Sequence, residues 1–324
     1  MNIHDRVYGA VEVREPVLLD LINNPTLQRL KDIDQGGYSE PYFPGKYSRF
    51  EHSVGVCLLL GKYGTPLEEQ IAGLIHDVSH SAFSHCIDYV LASDSAEKNA
   101  HQDNIFDAYV RKSEIPALLK AYGFDVEYIL DDTHFPLKEK ELPNLCADRI
   151  DYSLRTACAF GEIKDADYFL NALETENRNW IFKNFEIAKE YVELYLKLNT
   201  NYWSGIATAL MFQTVGEYLL YALSKEHISE MDLYTTDALV LSKIARHHAD
   251  DKQLSLLFDR MNNKVAYKND HHDFESEILC KSRVVDPLCR HNGEIKRVSH
   301  VDPSWGEILK EESKPKHYFL KFER

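Results

Sequence analysis

The stretch His76-Asp77-Val78-Ser79-His80-Ser81-Ala82-Phe83-Ser84-His85 decides how this chain is read. It holds three histidines and an aspartate in ten residues, in a chain with 15 histidines among 324 residues. Imidazole nitrogen and carboxylate oxygen together suit borderline-to-hard divalent ions such as Mn, Fe, Co, Ni or Zn. His76 and Asp77 are neighbours and would diverge by about 100° on a regular helix. Both reach one ion only where it sits beside the pair, near a helix end. A helix over 66–76, capped by Thr65, is predicted here, and the small polar residues after Asp77 fit its end. The remaining ligands have to come from other helices.

Upstream, Arg49-Phe50-Glu51-His52 opens a predicted helix over 50–63 that stops at Gly64, and His52 lies 24 residues before His76. Downstream, Cys146-Ala147-Asp148-Arg149-Ile150-Asp151-Tyr152-Ser153-Leu154-Arg155 carries Asp148, 71 residues after Asp77. Asp148, Asp151, Tyr152 and Arg155 follow i, i+3, i+4 and i+7, so they share one helix face. A polar face on an otherwise apolar helix implies a site or a buried ion network. Asp151 and Arg155, four apart, read as an intrahelical ion pair.

Further out, the alternation over 2–15 suggests a short strand or hairpin. A helix over 16–34 breaks near Pro25, and the glycines and prolines of 36–45 form a loop. Helices are predicted over 100–112, 115–121, 144–160, 185–198, 202–226, 235–248 and 254–265. Short strands are predicted over 278–285, 294–299 and 316–322. The fold class is therefore mostly α, a helical bundle with a small mixed α/β C-terminal portion. Four stretches follow: an N-terminal segment 1–48 packing on the core, a catalytic core 49–160, a helical extension 161–270 completing a pocket, and an appendage 271–324.

The bulk properties narrow the function. A hydrophobic content of 44% supports a real core. No apolar run approaches the ~20 residues of a membrane span, and the first residues lack the apolar segment of a signal peptide, so a cytoplasmic protein without membrane partners is expected. Six cysteines without paired spacing read as small buried thiols in a reducing compartment. The net charge, 37 − 52 = −15, opposes binding of long nucleic acid, whose affinity comes from neutralised phosphates. A single small nucleotide remains open. His247-His248 and His271-His272 lack partnered carboxylates and read as solvated residues. Tyr191, Tyr195, Tyr202, Tyr218 and Tyr221 read as core.

The order His52, His76-Asp77, Asp148 resembles the HD superfamily of metal-dependent phosphohydrolases. The extended pattern, RFEHS, then HDVSHSAFSH, then ADRIDYSLR, resembles the branch of deoxynucleoside triphosphate triphosphohydrolases, which includes the vertebrate SAM-and-HD-domain enzyme and bacterial relatives. The segments Arg283–Pro287 and Val298–Pro303 look like the C-terminal portion of those bacterial relatives. The resemblance implies an HD-domain bundle and a divalent metal (Mn, Mg, Fe, Co, Ni or Zn) on His52, His76, Asp77 and Asp148. It implies that His80, His85, Asp88 and His101 handle the phosphate and the proton, with His101 and Asp88 as a dyad. Arg49 matches a phosphate-contacting arginine, Gln35 a sugar- or base-facing glutamine, and Tyr152 a residue packed on the sugar. A homo-oligomer, at least a dimer, is implied as well.

Two departures stand out. Thr156 replaces an aspartate that contacts the sugar hydroxyl, and Asn199–Ser204 replaces an Arg/His/Tyr cluster. Only Tyr202 is retained there, with Lys197 as the nearest cation. Arg49 is open between a phosphate contact and a structural salt bridge. The expected activity is hydrolysis of a dNTP to deoxynucleoside and triphosphate. The alternatives are a phosphodiesterase or 3′-end nuclease on short single strands, and a non-catalytic nucleotide sensor.

Overall fold

The computed structural model describes residues 1–91 and 101–323; Ala100, the first residue of the helix expected over 100–112, lies outside them. The chain opens with a hairpin of β1 (Asn2–Asp5) and β2 (Gly9–Glu12), followed by α1 (Pro16–Asn23). Pro25 starts a separate short turn, so the predicted break is present. Then come α2 (Arg49–Lys62), α3 (Leu67–Ile75), α4 (His101–Lys112), α5 (Ile115–Ala121) and α6 (Ala147–Ala159). Thr65 does not cap α3: the N-cap is Pro66 and no side chain closes that end.

Helix α2 is the axis of the molecule. Val54, Cys57 and Leu58 pack with Leu18, Leu21, Ile71 and Leu119 in one core, while Val56, Leu59 and Leu60 pack with Ile150, Leu154 and Tyr191 in a second. A helix apolar on both sides has no solvent face to offer, and this fixes its polar first turn, with Arg49 and His52, inside the protein. Gly55 permits the closest approach. A Cβ there would meet Arg155 Nη2 and Asp151 Oδ1 at 2.1 Å each, so only glycine lets α6 lie against α2 at this level.

The second half holds α7 (Phe185–Leu198) and α8 (Ile206–Ser224), joined by a π turn over Asn199–Trp203, then α9 (Asp237–Ala245) and α10 (Lys252–Met261). By length and composition the stretch Phe185–Ser224 is apolar enough to cross a membrane, but 61% of its most apolar window is buried against other elements, the pattern of a core helix. Tyr191, Tyr195 and Tyr218 are buried as expected, whereas Tyr202 and Tyr221 are partly exposed.

A hairpin within 161–270 was not expected. Strands β3 (Leu173–Glu176) and β4 (Asn179–Phe182) join through Asn177 and Arg178, both at positive φ. This two-residue turn matches the strand twist, but Asn-Arg is a weaker signal than Asn-Gly. The stronger signal, Asn292-Gly293, joins β7 (Leu288–His291) to β8 (Glu294–Arg297). The four strands form one sheet in the order β3-β4-β7-β8, with β4 and β7 parallel. A second sheet has the order β5-β9-β6, from Tyr267–Asn269, Lys316–Phe322 and Ser276–Cys280. Between these strands lies α11 (Pro303–Glu312), started by Asp302 as N-cap and Pro303 at the first position.

Candidate active site

Ser48 and Glu51 form a capping box: Ser48 Oγ accepts from the Glu51 N–H at 3.2 Å, and Glu51 Oε2 accepts from the Ser48 N–H at 2.9 Å. The glutamate of the Arg-Phe-Glu-His motif thus fixes the helix start that places Arg49 and His52. His76 is the C-cap of α3, so the pair His76-Asp77 does sit at a helix end. The chain then turns sharply through Phe83 (φ 61°) and Ser84 (φ 44°). Two consecutive non-glycine residues in the left-handed region are held there by outside partners. The carboxylate of Asp237 accepts from the N–H of Phe83 at 2.8 Å and from that of Asp34 at 2.9 Å. Arg29 donates to the carbonyls of Val78 (2.9 Å), His80 (2.7 Å) and Thr235 (3.0 Å). Neither Arg29 nor Asp237 was singled out from sequence; both act on main-chain atoms far away, which no local motif records.

Four side chains converge. His52 Nε2 lies 2.9 Å from Asp148 Oδ1, 3.2 Å from His76 Nε2 and 3.8 Å from Asp77 Oδ2. His76 Nε2 lies 3.4 Å from Asp77 Oδ1 and 3.6 Å from Asp148 Oδ1. Ligand atoms about 2.1 Å from a shared ion stand roughly 3.0–3.4 Å apart in octahedral or tetrahedral sets, so the spacing fits a single ion. The tautomers fit as well. His76 Nδ1 faces the Gly73 carbonyl at 2.7 Å, an atom that only accepts, so Nδ1 carries the proton. His52 Nδ1 faces Asp151 at 2.8 Å and likewise donates. Both Nε2 atoms therefore face each other and two carboxylates, a donor set fit to hold a divalent cation. Burial alone would lower the His52 pKa, but Asp148 and Asp151 outweigh it and raise it to about 9. Burial would raise the Asp77 carboxyl, but His76 and Arg49 outweigh it and hold it well below the usual range.

Asp151 has a second task. Arg155, wholly buried, donates from Nε and Nη2 to Asp151 at 2.9 Å each, the predicted ion pair, and also faces Asp5 at 3.0 Å. Tyr8 donates to Asp151 Oδ1 at 2.9 Å. The polar face of α6 is thus both the metal's backing and an ion network.

Above this floor opens a cavity of about 930 Å³. His76, Asp77, Asp148, His80, His85 and Arg49 line its base. Part of its lining is aromatic: Phe43, Phe160 and Tyr202 pack on one another, and Tyr152 meets Trp203 edge to face at 5.0 Å. The lining also carries Arg149, Lys138, Lys140, Lys281 and Arg283 among carboxylates. Gln35, Tyr152 and Tyr202 line the cavity, as does Thr156, whose hydroxyl is engaged with that of Tyr47 at 2.9 Å. Arg49 makes the structural salt bridge, one of its two open readings. It pairs with Asp77 (2.8 Å), Ser84 (3.0 Å) and the Gln35 carbonyl (3.1 Å), yet still faces the cavity.

Two expectations are displaced. The imidazole facing the Asp88 carboxylate is that of His85, at 3.3 Å, whereas His101 gives Asp88 its backbone N–H and turns its ring to the Tyr234 hydroxyl at 3.0 Å. The expected dyad takes its histidine from the strained loop instead of from α4. Lys197 is 56% exposed, pairs with Glu162 and lies off the cavity lining. The aromatic pair Phe43 and Phe160 and the cation Lys281 reach the cavity from stretches with no motif of their own, and Arg283 stands in the sequence reading only as part of the C-terminal likeness.

The chain matches no family profile. It is 36% identical over 294 residues to the uncharacterized protein YdhJ of Bacillus subtilis, covering 89% of this chain and 88% of that one. It is 30% identical over 318 residues to the metal-dependent phosphohydrolase cns2 of Cordyceps militaris, covering 94% and 90%. A partial likeness, 32% over 164 residues, covers 43% of this chain and 26% of the deoxynucleoside triphosphate triphosphohydrolase SAMHD1 of Danio rerio. The fold recurs across the full length of a phosphohydrolase from Bacteroides thetaiotaomicron, with a TM-score of 0.74 at 17% identity. The near full-length kinship, together with a His52, His76 and Asp148 cluster that could hold a metal ion, places the chain among the HD-type metal-dependent phosphohydrolases.

Proposed function

We propose that the protein hydrolyses a nucleotide, with a dNTP, cut to deoxynucleoside and triphosphate, as the leading substrate. The observation that carries this reading is one cavity whose lining joins a His/Asp cluster to aromatic rings and to cations. Its volume is within the range of roughly 300–1,000 Å³ usual for small-ligand sites. The partial likeness to a dNTP triphosphohydrolase supports the finer substrate. His52, His76, Asp77 and Asp148 would hold a divalent ion, which would supply acidified water and charge neutralisation at a phosphoryl oxygen.

The chain's own groups do the rest. Arg49 uses three of its five N–H groups on Asp77, Ser84 and Gln35, which fixes the guanidinium plane and leaves two for a phosphate. His85 directs Nδ1 to Asp88, and burial lowers its pKa, so the ring is neutral at pH 7 and ready to take a proton. As water oxygen bonds to the α-phosphorus, the bond to the 5′ oxygen breaks. That oxygen leaves with a proton passed through His85.

The test is product analysis by ion-pair chromatography, with Mn or Mg, on the four dNTPs and a short oligonucleotide. Deoxynucleoside and intact triphosphate are expected. Mononucleotides from the oligonucleotide with dNTPs untouched would move the substrate to a phosphodiester, and no product from any nucleotide would overturn the reading.

A further inference from the structure

The cations of the cavity are not equivalent. Arg49 is paired with Asp77, Arg149 with Glu139, Lys138 with Asp132 and Lys46 with Glu40. Arg283, which lines the same cavity, has no ion pair among the described residues. Its backbone, by contrast, is tightly held. The Arg283 N–H donates to Asn199 Oδ1 at 2.9 Å, and Asn199 Nδ2 donates to Ser282 Oγ at 2.9 Å. Ser282 Oγ in turn donates to the Glu312 carbonyl at 2.5 Å. Asn199 is wholly buried and belongs to the π turn between α7 and α8, the irregularity most often tied to function in helices. In an extended segment alternate residues face opposite ways. Ser282 turns into the clamp, so Lys281 and Arg283 both turn to the cavity, and both line it.

We infer that Arg283, with Lys281 beside it, is the seat for the substrate's phosphate chain and a determinant of its length. The inference rests on the nucleotide reading given above. It accounts for the missing cationic cluster at Asn199–Ser204: that stretch does not supply the charge but positions, through Asn199, the extended segment that does.

The test uses the purified, metal-loaded full chain and inorganic tripolyphosphate, titrated by calorimetry at several salt concentrations. Arg283→Ala should weaken binding about ten- to a hundredfold, the loss of a charge-assisted contact, and flatten the salt dependence. Arg283→Lys should restore part of it, and Lys197→Ala should leave it unchanged. Metal content and melting temperature, measured alongside, should stay constant, because the guanidinium holds nothing in place. Equal tripolyphosphate affinity in Arg283→Ala, or none in the parent protein, would overturn the inference. Arg283-dependent binding without turnover of any nucleotide would sink the proposed reaction and leave the anion seat standing. Nucleotide turnover with KM unmoved by Arg283→Ala would do the reverse.

Discussion

On the floor of the cavity three of the four converging side chains are held from behind: His52 by Asp151, His76 by the Gly73 carbonyl and Asp77 by Arg49. On the far side Phe43, Tyr152, Trp203 and Arg283 come from four separate stretches, and their placement depends on packing and on the Asn199 clamp. The floor is built from three short segments, each carrying a candidate ligand and a group that supports a ligand: Arg49, behind Asp77, near His52; Gly73 before His76; and Asp151, behind His52, one turn beyond Asp148. The far side has no such segments. There a charge can be given up in one stretch and supplied from another, provided the cavity still receives it. The reaction chemistry is therefore set by motifs, and the choice of substrate by assembly.

The contrast can be tested by substitution. The largest effect is expected for His76→Ala, which removes one ligand and leaves a buried salt bridge intact. Metal content by emission spectroscopy should fall, and hydrolysis should drop to background. Retained metal at the parental level would mean that the floor is assigned wrongly. Asp151→Ala comes next. It strips the partner from the buried Arg155 and should cost roughly 3–5 kcal/mol in a urea titration, with a metal affinity about 10–100 times weaker. Unchanged metal affinity would show that the support behind His52 is dispensable, and the comparison would lose its footing.

A third effect concerns the strained loop between the two regions. Burial, aided by the charge of Asp34, pushes the Asp237 carboxyl up to about 7. Since an unfolded aspartate titrates near about 3.9, the stability this group contributes is complete below that pH and is lost as pH rises toward 7. The loss is on the order of 4 kcal/mol. Unfolding free energies of the parent and of Asp237→Asn should diverge over that interval, and parallel curves would show that Asp237 is ionised throughout. The smallest effect belongs to Lys197→Ala. An exposed pair with Glu162 is worth at most about 1 kcal/mol, and KM should not move. A rise in KM would return Lys197 to the substrate side.

The floor was legible because its residues announce themselves at short range. His76-Asp77 lies at a helix end, Asp148 and Asp151 share a face, and Glu51 closes a capping box with Ser48. The helices were legible for the same reason, their apolar spacing being local. The β3–β4 hairpin was not, because Asn177-Arg178 is a poor turn signal and both strands are only four residues long. The histidine partner of Asp88 was misassigned because the choice between His85 and His101 depends on how the chain turns at Phe83 and Ser84. That turn is stabilised by Asp237 and Arg29, residues far off in sequence. Arg283 was noted only as part of a C-terminal likeness, since nothing nearby says that an asparagine 84 positions earlier holds it against the cavity.

The N-terminal hairpin looks remote from the chemistry, yet Asp5 faces Arg155 and Tyr8 donates to Asp151, whose other oxygen holds His52. One carboxylate thus answers to two masters, a hairpin at the surface and an imidazole at the ion. Coupling between binding equilibria is reciprocal. Whatever docks the hairpin more firmly also sharpens the grip on the ion, and drawing the ion out with a chelator loosens the hairpin. Amide exchange in residues 2–12 then becomes a gauge of metal occupancy that can be read without any substrate.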